Sequence, residues 1–400
     1  MSHLVPNGRM PGLDVCRAGM MVLGVVLHGA AFTQYGSESG FWLQSFSLIS
    51  NNFRMEAFFM VSGLLSAKML QRKEPGQWLL ERSCTLLVPF VSGVLIISPG
   101  CEWLASFVSG IPARHQYNVG FYWFLPALFA CCTCTVAVVL LLETLTSSQL
   151  RACHTRATFL LTHSYARFSV FTIVSILGLL ALIMREMGIS FSTSHAHDVR
   201  FTSRLFHDFF YTFGQAPYYG IHFAIGFLSC RFASVSRLFI ESRVLSLFMV
   251  SVGIIATYAL YRGQSFLVYP LYTPAGSLLF IALLSIKSCI SLPCCSLILA
   301  WSSRLKASPE AVVTVSRASY TMYILHGGLI TLAISVAART DLVVELRAAL
   351  VIVTTLVVSY LVHVLLVEKM PVAAFLLNGK QTLPANRGMI GNHPLSQQAG

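Results

Sequence analysis

Charged residues are scarce in this 400-residue sequence. Only 10% of positions are Asp, Glu, Lys or Arg, where a soluble domain carries about 25%. Acidic residues are the rarer sign, 15 against 27 Lys and Arg. A soluble globule cannot cover itself with so few charges while 56% of its residues are hydrophobic. Also missing are any long repeat, low-complexity tract or large loop. These absences exclude a disordered chain, a collagen-like fibre and a disulfide-stapled secreted scaffold. There are 11 cysteines, but no CxxC is matched by a second CxxC or a His pair, so they read as small packing residues and no metal is expected. No cleavable signal peptide is expected either. The first apolar run, Leu13 to Phe32, is long enough to span a membrane.

What is present is apolar length. The mean hydropathy is +0.71, and the apolar runs far exceed the roughly ten alternating residues of a barrel strand. The fold class is therefore all-α: a polytopic integral membrane protein of about ten transmembrane helices. The spans run near 13–34, 53–70, 84–108, 121–142, 167–185, 208–229, 244–261, 266–287, 317–338 and 344–367. Pro270 and Pro274 interrupt the eighth, and Ile290 to Trp301 reads as a separate re-entrant or interfacial stretch. With both termini cytoplasmic, 19 of the 27 basic residues fall inside, every lysine among them. This asymmetry obeys the positive-inside rule. The net charge of +12 is then a topological signal and an attraction to anionic lipid, with no nucleic-acid partner implied. The expected organisation is a cytoplasmic segment 1–12, a transmembrane domain 13–368 and a cytoplasmic tail 369–400. The long connections are Leu142 to Ala166, inside, and Glu186 to His207, outside. Any chemistry is expected in the spans and their short loops.

Ionisable side chains deep in apolar spans are costly and face a protein interior or a cavity. The first span carries Asp14, Arg17 and His28. Eleven helical steps separate Arg17 from His28, a turn of roughly 1100°, so the two share a face about 16 Å apart along the axis. Asp14 stands at i,i+3 to Arg17, close enough to orient it. Arginine grips phosphate or carboxylate with a fixed fork of donors, and histidine exchanges a proton near neutrality. A capped helix start plus one hydrogen-bonded histidine explains the same spacing. His326 lies in the ninth span among hydroxyls, ahead of Gly327 and Gly328. His222 and His363 lie in the sixth and tenth and read equally well as satisfied core histidines. Arg54 and Glu56 open the second span toward the outer face and, two apart, do not face each other. Ser62-Gly63 is a small polar notch or a helix-packing site. Arg82 ends the basic inner connection of Lys68, Arg72 and Lys73. Phe121-Tyr122-Trp123-Phe124 is an interfacial aromatic belt or a sugar-stacking platform.

Together these residues resemble the type-3 family of membrane acyltransferases, which modify extracytoplasmic glycans. The matching elements are Leu13-Asp14-Val15-Cys16-Arg17-Ala18 with His28, then Phe53-Arg54-Met55-Glu56 through Ser62-Gly63. Arg82 ahead of Pro89, Trp123-Phe124-Leu125, and Ser319-Tyr320 leading to Tyr323 and His326 complete the set. The start at Phe53 and the ending Glu368-Lys369-Met370-Pro371 with Asn378-Gly379-Lys380 resemble the branch that succinylates periplasmic glucans. The family tends to carry two basic residues before the third-span proline; here Thr85 stands at the second position.

The resemblance implies a multi-pass protein of a bacterial inner membrane. Its co-substrate would be cytoplasmic acyl-CoA (succinyl-CoA or acetyl-CoA), with no permanently bound cofactor, and its acceptor a glucan or other glycan outside. It implies His28 as general base, with Arg17, Asp14 and His326 at the reacting centre. Arg17, Arg82, Lys73 and Ser62 would bind the donor, and Arg54, Glu56, Trp123 and Tyr320 the acceptor. Composition alone equally suits a secondary transporter or an exporter of a glycan or lipid-linked sugar, although no inverted repeat is evident.

Overall fold

The computed structural model describes residues 11–33, 41–110, 121–143, 165–194, 212–261, 274–305 and 310–380. Most of the two long connections, residues 1–10, the tail beyond 380 and Pro270 lie outside the described residues. Every described element is helical. In order they are α1 (Pro11–Thr33), α2 (Phe41–Asn51), α3 (Arg54–Leu70), α4 (Pro75–Ser92), α5 (Ser98–Ser109), α6 (Phe124–Glu143), α7 (Ala166–Ser194), α8 (Ala216–Arg231), α9 (Ala233–Glu241), α10 (Arg243–Tyr261), α11 (Pro274–Ser302), α12 (Glu310–Ala337), α13 (Val344–Val362) and α14 (Pro371–Asn378). Among the described residues, eight helices are long and apolar enough to cross a membrane. There are nine if α8 and α9, bent by 113° at Phe232, count as one span. The 17-residue α3 is the tenth of the expected segments.

The exterior is apolar where a soluble protein would be polar. Phe107, Val244 and Phe168 are 78%, 78% and 66% exposed. The interior holds Glu56, His222 and His326, each at most 1% exposed. Apolar outside and ionisable inside is the pattern that lipid as solvent imposes.

Glycine sets the closest helix approach. A Cβ on Gly63 of α3 would lie 2.0 Å from the Phe223 carbonyl oxygen of α8, and a Cβ on Gly226 of α8 would lie 1.9 Å from the Met60 carbonyl oxygen of α3. Each backbone thus rests on the other, as small residues permit in membranes. Gly63→Ala is expected to lower the Tm of the detergent-solubilised protein by several degrees, since overpacking costs about 1–3 kcal/mol. An unchanged Tm would show that the helices part freely.

Proline shapes the third span. Helix α4 begins at Pro75, passes Pro89, and runs through a π-helical turn, Gly93–Ile97, into α5. Pro89 has no N–H to offer the carbonyl four residues back, at Thr85. The Tyr320 hydroxyl of α12 donates to that carbonyl instead. At Gly379, φ is +62°, and a Cβ there would lie 2.1 Å from the Cys84 carbonyl oxygen. The end of α14 therefore seats on the backbone at Cys84 and Thr85.

Two expected boundaries are corrected. The eighth span does not end at Lys287 with a separate short stretch after it. Helix α11 runs unbroken from Pro274 to Ser302 with Pro293 inside it, so Ile290 to Trp301 is its second half. Lys287 therefore lies within a membrane helix and not in the cytoplasmic set, as do Cys289, Cys294 and Cys295. Finally, α7 continues to Ser194, which draws Arg185 and Glu186 into a helix. The ten described cysteines are all unpaired.

Candidate active site

Helices α1 and α12 pack side by side and bring His28 and His326 together. Their ring centroids are 5.2 Å apart. Phe121 stands edge-on to both rings, at 5.6 Å from each, and Phe32 lies 6.1 Å from His28. Phe121 is held from two sides. Its carbonyl accepts the Tyr323 hydroxyl, and its ring fills the space over Gly327, where a Cβ would meet it at 2.5 Å.

The two imidazoles differ in their surroundings. His326 Nδ1 contacts the Tyr323 carbonyl. A carbonyl only accepts, so Nδ1 carries the proton and a neutral His326 presents a bare lone pair at Nε2. That Nε2 is buried with no hydrogen-bond partner among the described residues. His28 is only partly buried. The site thus offers one base of fixed tautomer beside a more accessible one.

Arg54 supplies the positive charge. It is 6% exposed, and its Nε has no hydrogen-bond partner among the described residues. A Cβ on Gly24 would lie 2.4 Å from Arg54 Nη1. The guanidinium therefore rests on α1 one turn before His28, within electrostatic reach of both imidazoles. Glycine at 24 makes room for it.

The other expected site residues divide between this centre and separate places. Trp123 is half-buried in an aromatic group, 6.5 Å from Phe59 and 5.2 Å from Tyr219 by ring centroid. Glu56 turns away from Arg54. It is fully buried, 3.4 Å from Lys287 Nζ, and accepts the Tyr218 hydroxyl at 3.0 Å. Tyr320, grouped with Arg54 by the resemblance, lies with Arg82 through its bond to Thr85. Arg82 sits 5.7 Å over the Trp78 ring. Lys73 pairs with Glu81 at an exposed position. Arg17 and Asp14 are half-buried near the start of α1, where the Asp14 carbonyl accepts from Ser316 Oγ at 3.4 Å. Ser62 is half-buried, and its carbonyl accepts from Ser66 Oγ at 2.7 Å. His222 is a satisfied core histidine, bonded to the Tyr218 carbonyl and, at 3.1 Å, to Ser291. His363 bonds Thr321 Oγ1 at 2.8 Å.

Tyr320→Phe removes the donor that serves the Thr85 carbonyl. An unmet buried acceptor costs about 1–3 kcal/mol, so a Tm several degrees below wild type is expected. A wild-type Tm would mean that the carbonyl finds another donor.

Apolar helices around the His28–His326 pair and a buried arginine define a multi-pass membrane protein. The chain belongs to the type-3 acyltransferases: the family model described as an acyltransferase domain matches residues 10–364. No curated protein and no solved structure matches significantly. The protein is thus a membrane acyltransferase that transfers groups other than aminoacyl groups, and the transporter reading is set aside.

Sequence reasoning missed Phe121 as a wall of the site and Lys287 as a buried cation. The signal for Lys287 was present: it is the single charge in the apolar run from Leu278 to Trp301.

Proposed function

We propose that this enzyme sits in a bacterial inner membrane with both termini cytoplasmic. It moves an acyl group, succinyl in preference to acetyl, from cytoplasmic acyl-CoA to a hydroxyl of a periplasmic glucan. The observation that carries the reading is the His28–His326 pair beside Arg54. His28 takes the proton of the acceptor hydroxyl as its oxygen attacks the thioester carbonyl. The C–S bond breaks, an ester C–O bond forms, and CoA leaves as the thiol once it regains a proton. Phe121 and Phe32 keep the centre poor in water, which strengthens the electrostatics around the reacting carbonyl. Arg54 holds the free carboxylate of a succinyl group, and Trp123 offers a stacking face to a sugar. Arg17, oriented by Asp14, grips donor phosphate at the inner end of α1. Arg82 and Lys73 add positive charge there, and Ser62 adds a hydroxyl.

The ending Glu368-Lys369-Met370-Pro371 and Asn378-Gly379-Lys380 support a glucan acceptor, since they resemble glucans biosynthesis protein C, a periplasmic glucan succinyltransferase. Mass spectrometry of envelope and periplasmic glycans, with and without this protein, tests the reading. A succinyl ester on glucan that vanishes with the gene is the expected result. Unchanged glycans would overturn it.

A further inference from the structure

We infer that Lys287 is a positioning residue: it braces the turn that carries Arg54 and so sets the arginine beside His28 and His326. The inference rests on the reading of that trio as the reacting centre.

Lys287 projects from α11 with 11% of its side chain exposed. Its Nζ donates to the Asn51 carbonyl at 3.0 Å and lies 3.4 Å from Glu56 Oε1. Those partners flank Arg54 on either side of the break between α2 and α3. Backbone bonds close the turn, from Asn52 N–H to the Ile49 carbonyl at 3.2 Å and from Phe53 N–H to the Ser50 carbonyl at 3.5 Å. Phe53 at the N-cap of α3 makes no side-chain capping bond, so the first turn lacks the side-chain acceptor that a capping residue supplies. The lysine adds a tie from another helix, joining the Asn51 carbonyl to the Glu56 carboxylate across the turn. Tyr218 adds a second hold on Glu56, and Lys287 lies 5.8 Å over the Tyr218 ring.

The pair also separates charges. Glu56 is the nearest acid in sequence to Arg54 and, if free to turn, would neutralise it. Held by Lys287 and Tyr218, it makes no ion pair with Arg54 among the described residues and acts on the arginine only at a distance, so the guanidinium stays open to an anionic group. Stability alone is a weak reason to keep such a pair, because a buried ion pair gains little over a well-packed apolar one.

The test uses the full-length protein in nanodiscs. Glu56→Gln and Lys287→Met each strand a buried charge and are expected to lower the yield of folded protein. The double variant removes both charges and is expected to recover most of the wild-type yield, with the Tm lower by a few degrees because the Asn51 carbonyl loses its donor. Hydrogen exchange of the amides of residues 52–57 is then expected to run about tenfold faster than in wild type, as local opening becomes easier. Its kcat for acyl transfer is expected to fall about 100-fold, with the KM for acyl-CoA unchanged, as a misplaced group predicts. A merely structural pair would give wild-type kcat in the double variant, and that result, or unchanged exchange at 52–57, overturns the brace. If the double variant fails to fold, Lys287→Arg keeps the charge and changes its reach. Faster exchange at 52–57 with lowered kcat then supports the brace, and wild-type values for both overturn it. A wild-type protein that moves no acyl group from CoA would sink the functional reading separately, and exchange alone would then decide the brace.

Discussion

His28→Ala, produced at wild-type levels in the membrane, is expected to lower acyl substitution of the glucan by about 10²–10⁴-fold, the range that a positioned general base supplies. The substitution should leave the fold intact, because His28 is only partly buried and faces rings. Its neighbour His326 is different. It is buried at 1% exposure and tied to the Tyr323 carbonyl, so His326→Gln is expected to cost both stability and rate. If His28 is the base, its loss changes kcat with Tm unmoved. Undiminished glucan esters in the His28→Ala strain, read by mass spectrometry, would remove His28 from the mechanism and leave the bare Nε2 of His326 as the base.

The second large effect is expected at Arg54. A charged group bound to a buried arginine loses a charge-assisted hydrogen bond and its ion partner when the arginine goes. Arg54→Gln should therefore lower transfer from succinyl-CoA by about 10²-fold or more, an effect of the size seen when an active-site donor is removed. Transfer from acetyl-CoA should fall much less, because acetyl has no carboxylate to hold. Comparing kcat/KM for the two donors decides this. An equal loss with both would assign Arg54 to the charge that develops on the reacting carbonyl and would count against succinyl. Gly24 offers an independent check. Gly24→Ala places a methyl where Nη1 now rests and is expected to lower succinyl transfer with Arg54 still present.

Much of this was legible in the residues. Runs of about twenty apolar positions, with charges clustered between them, dictate membrane helices because backbone polar groups in lipid must bond within their own segment. The eleven-residue step from Arg17 to His28 places both on one face of any uninterrupted helix, and α1 is uninterrupted. That Arg54 and Glu56 face apart also follows from helical geometry. The eighth span differs from its sequence pattern, in which Pro274 reads as a break and Lys287 as the start of a connection. In the folded protein Pro274 begins the helix, where a missing N–H costs nothing, and Pro293 lies inside it. Lys287 is tolerated in mid-span because Glu56 and the Asn51 carbonyl meet it there, partners that no local pattern announces.

The sequence by itself determined the solvent, the helices and which side chains were too costly to be buried without purpose. Scarcity of charge decided that: with so few ionisable residues in apolar runs, each one stands out. Only the tertiary structure decided which of them meet. It set His326 of α12 against His28 of α1, Arg54 against Gly24, and Glu56 against Lys287, and it moved Tyr320 away from the arginine to the carbonyl that Pro89 leaves free. The reason is physical. Periodicity fixes the direction of a side chain around its own helix, whereas its partner depends on how closely helices approach, and that is set by contacts such as Gly63 on Phe223 between residues far apart in the chain.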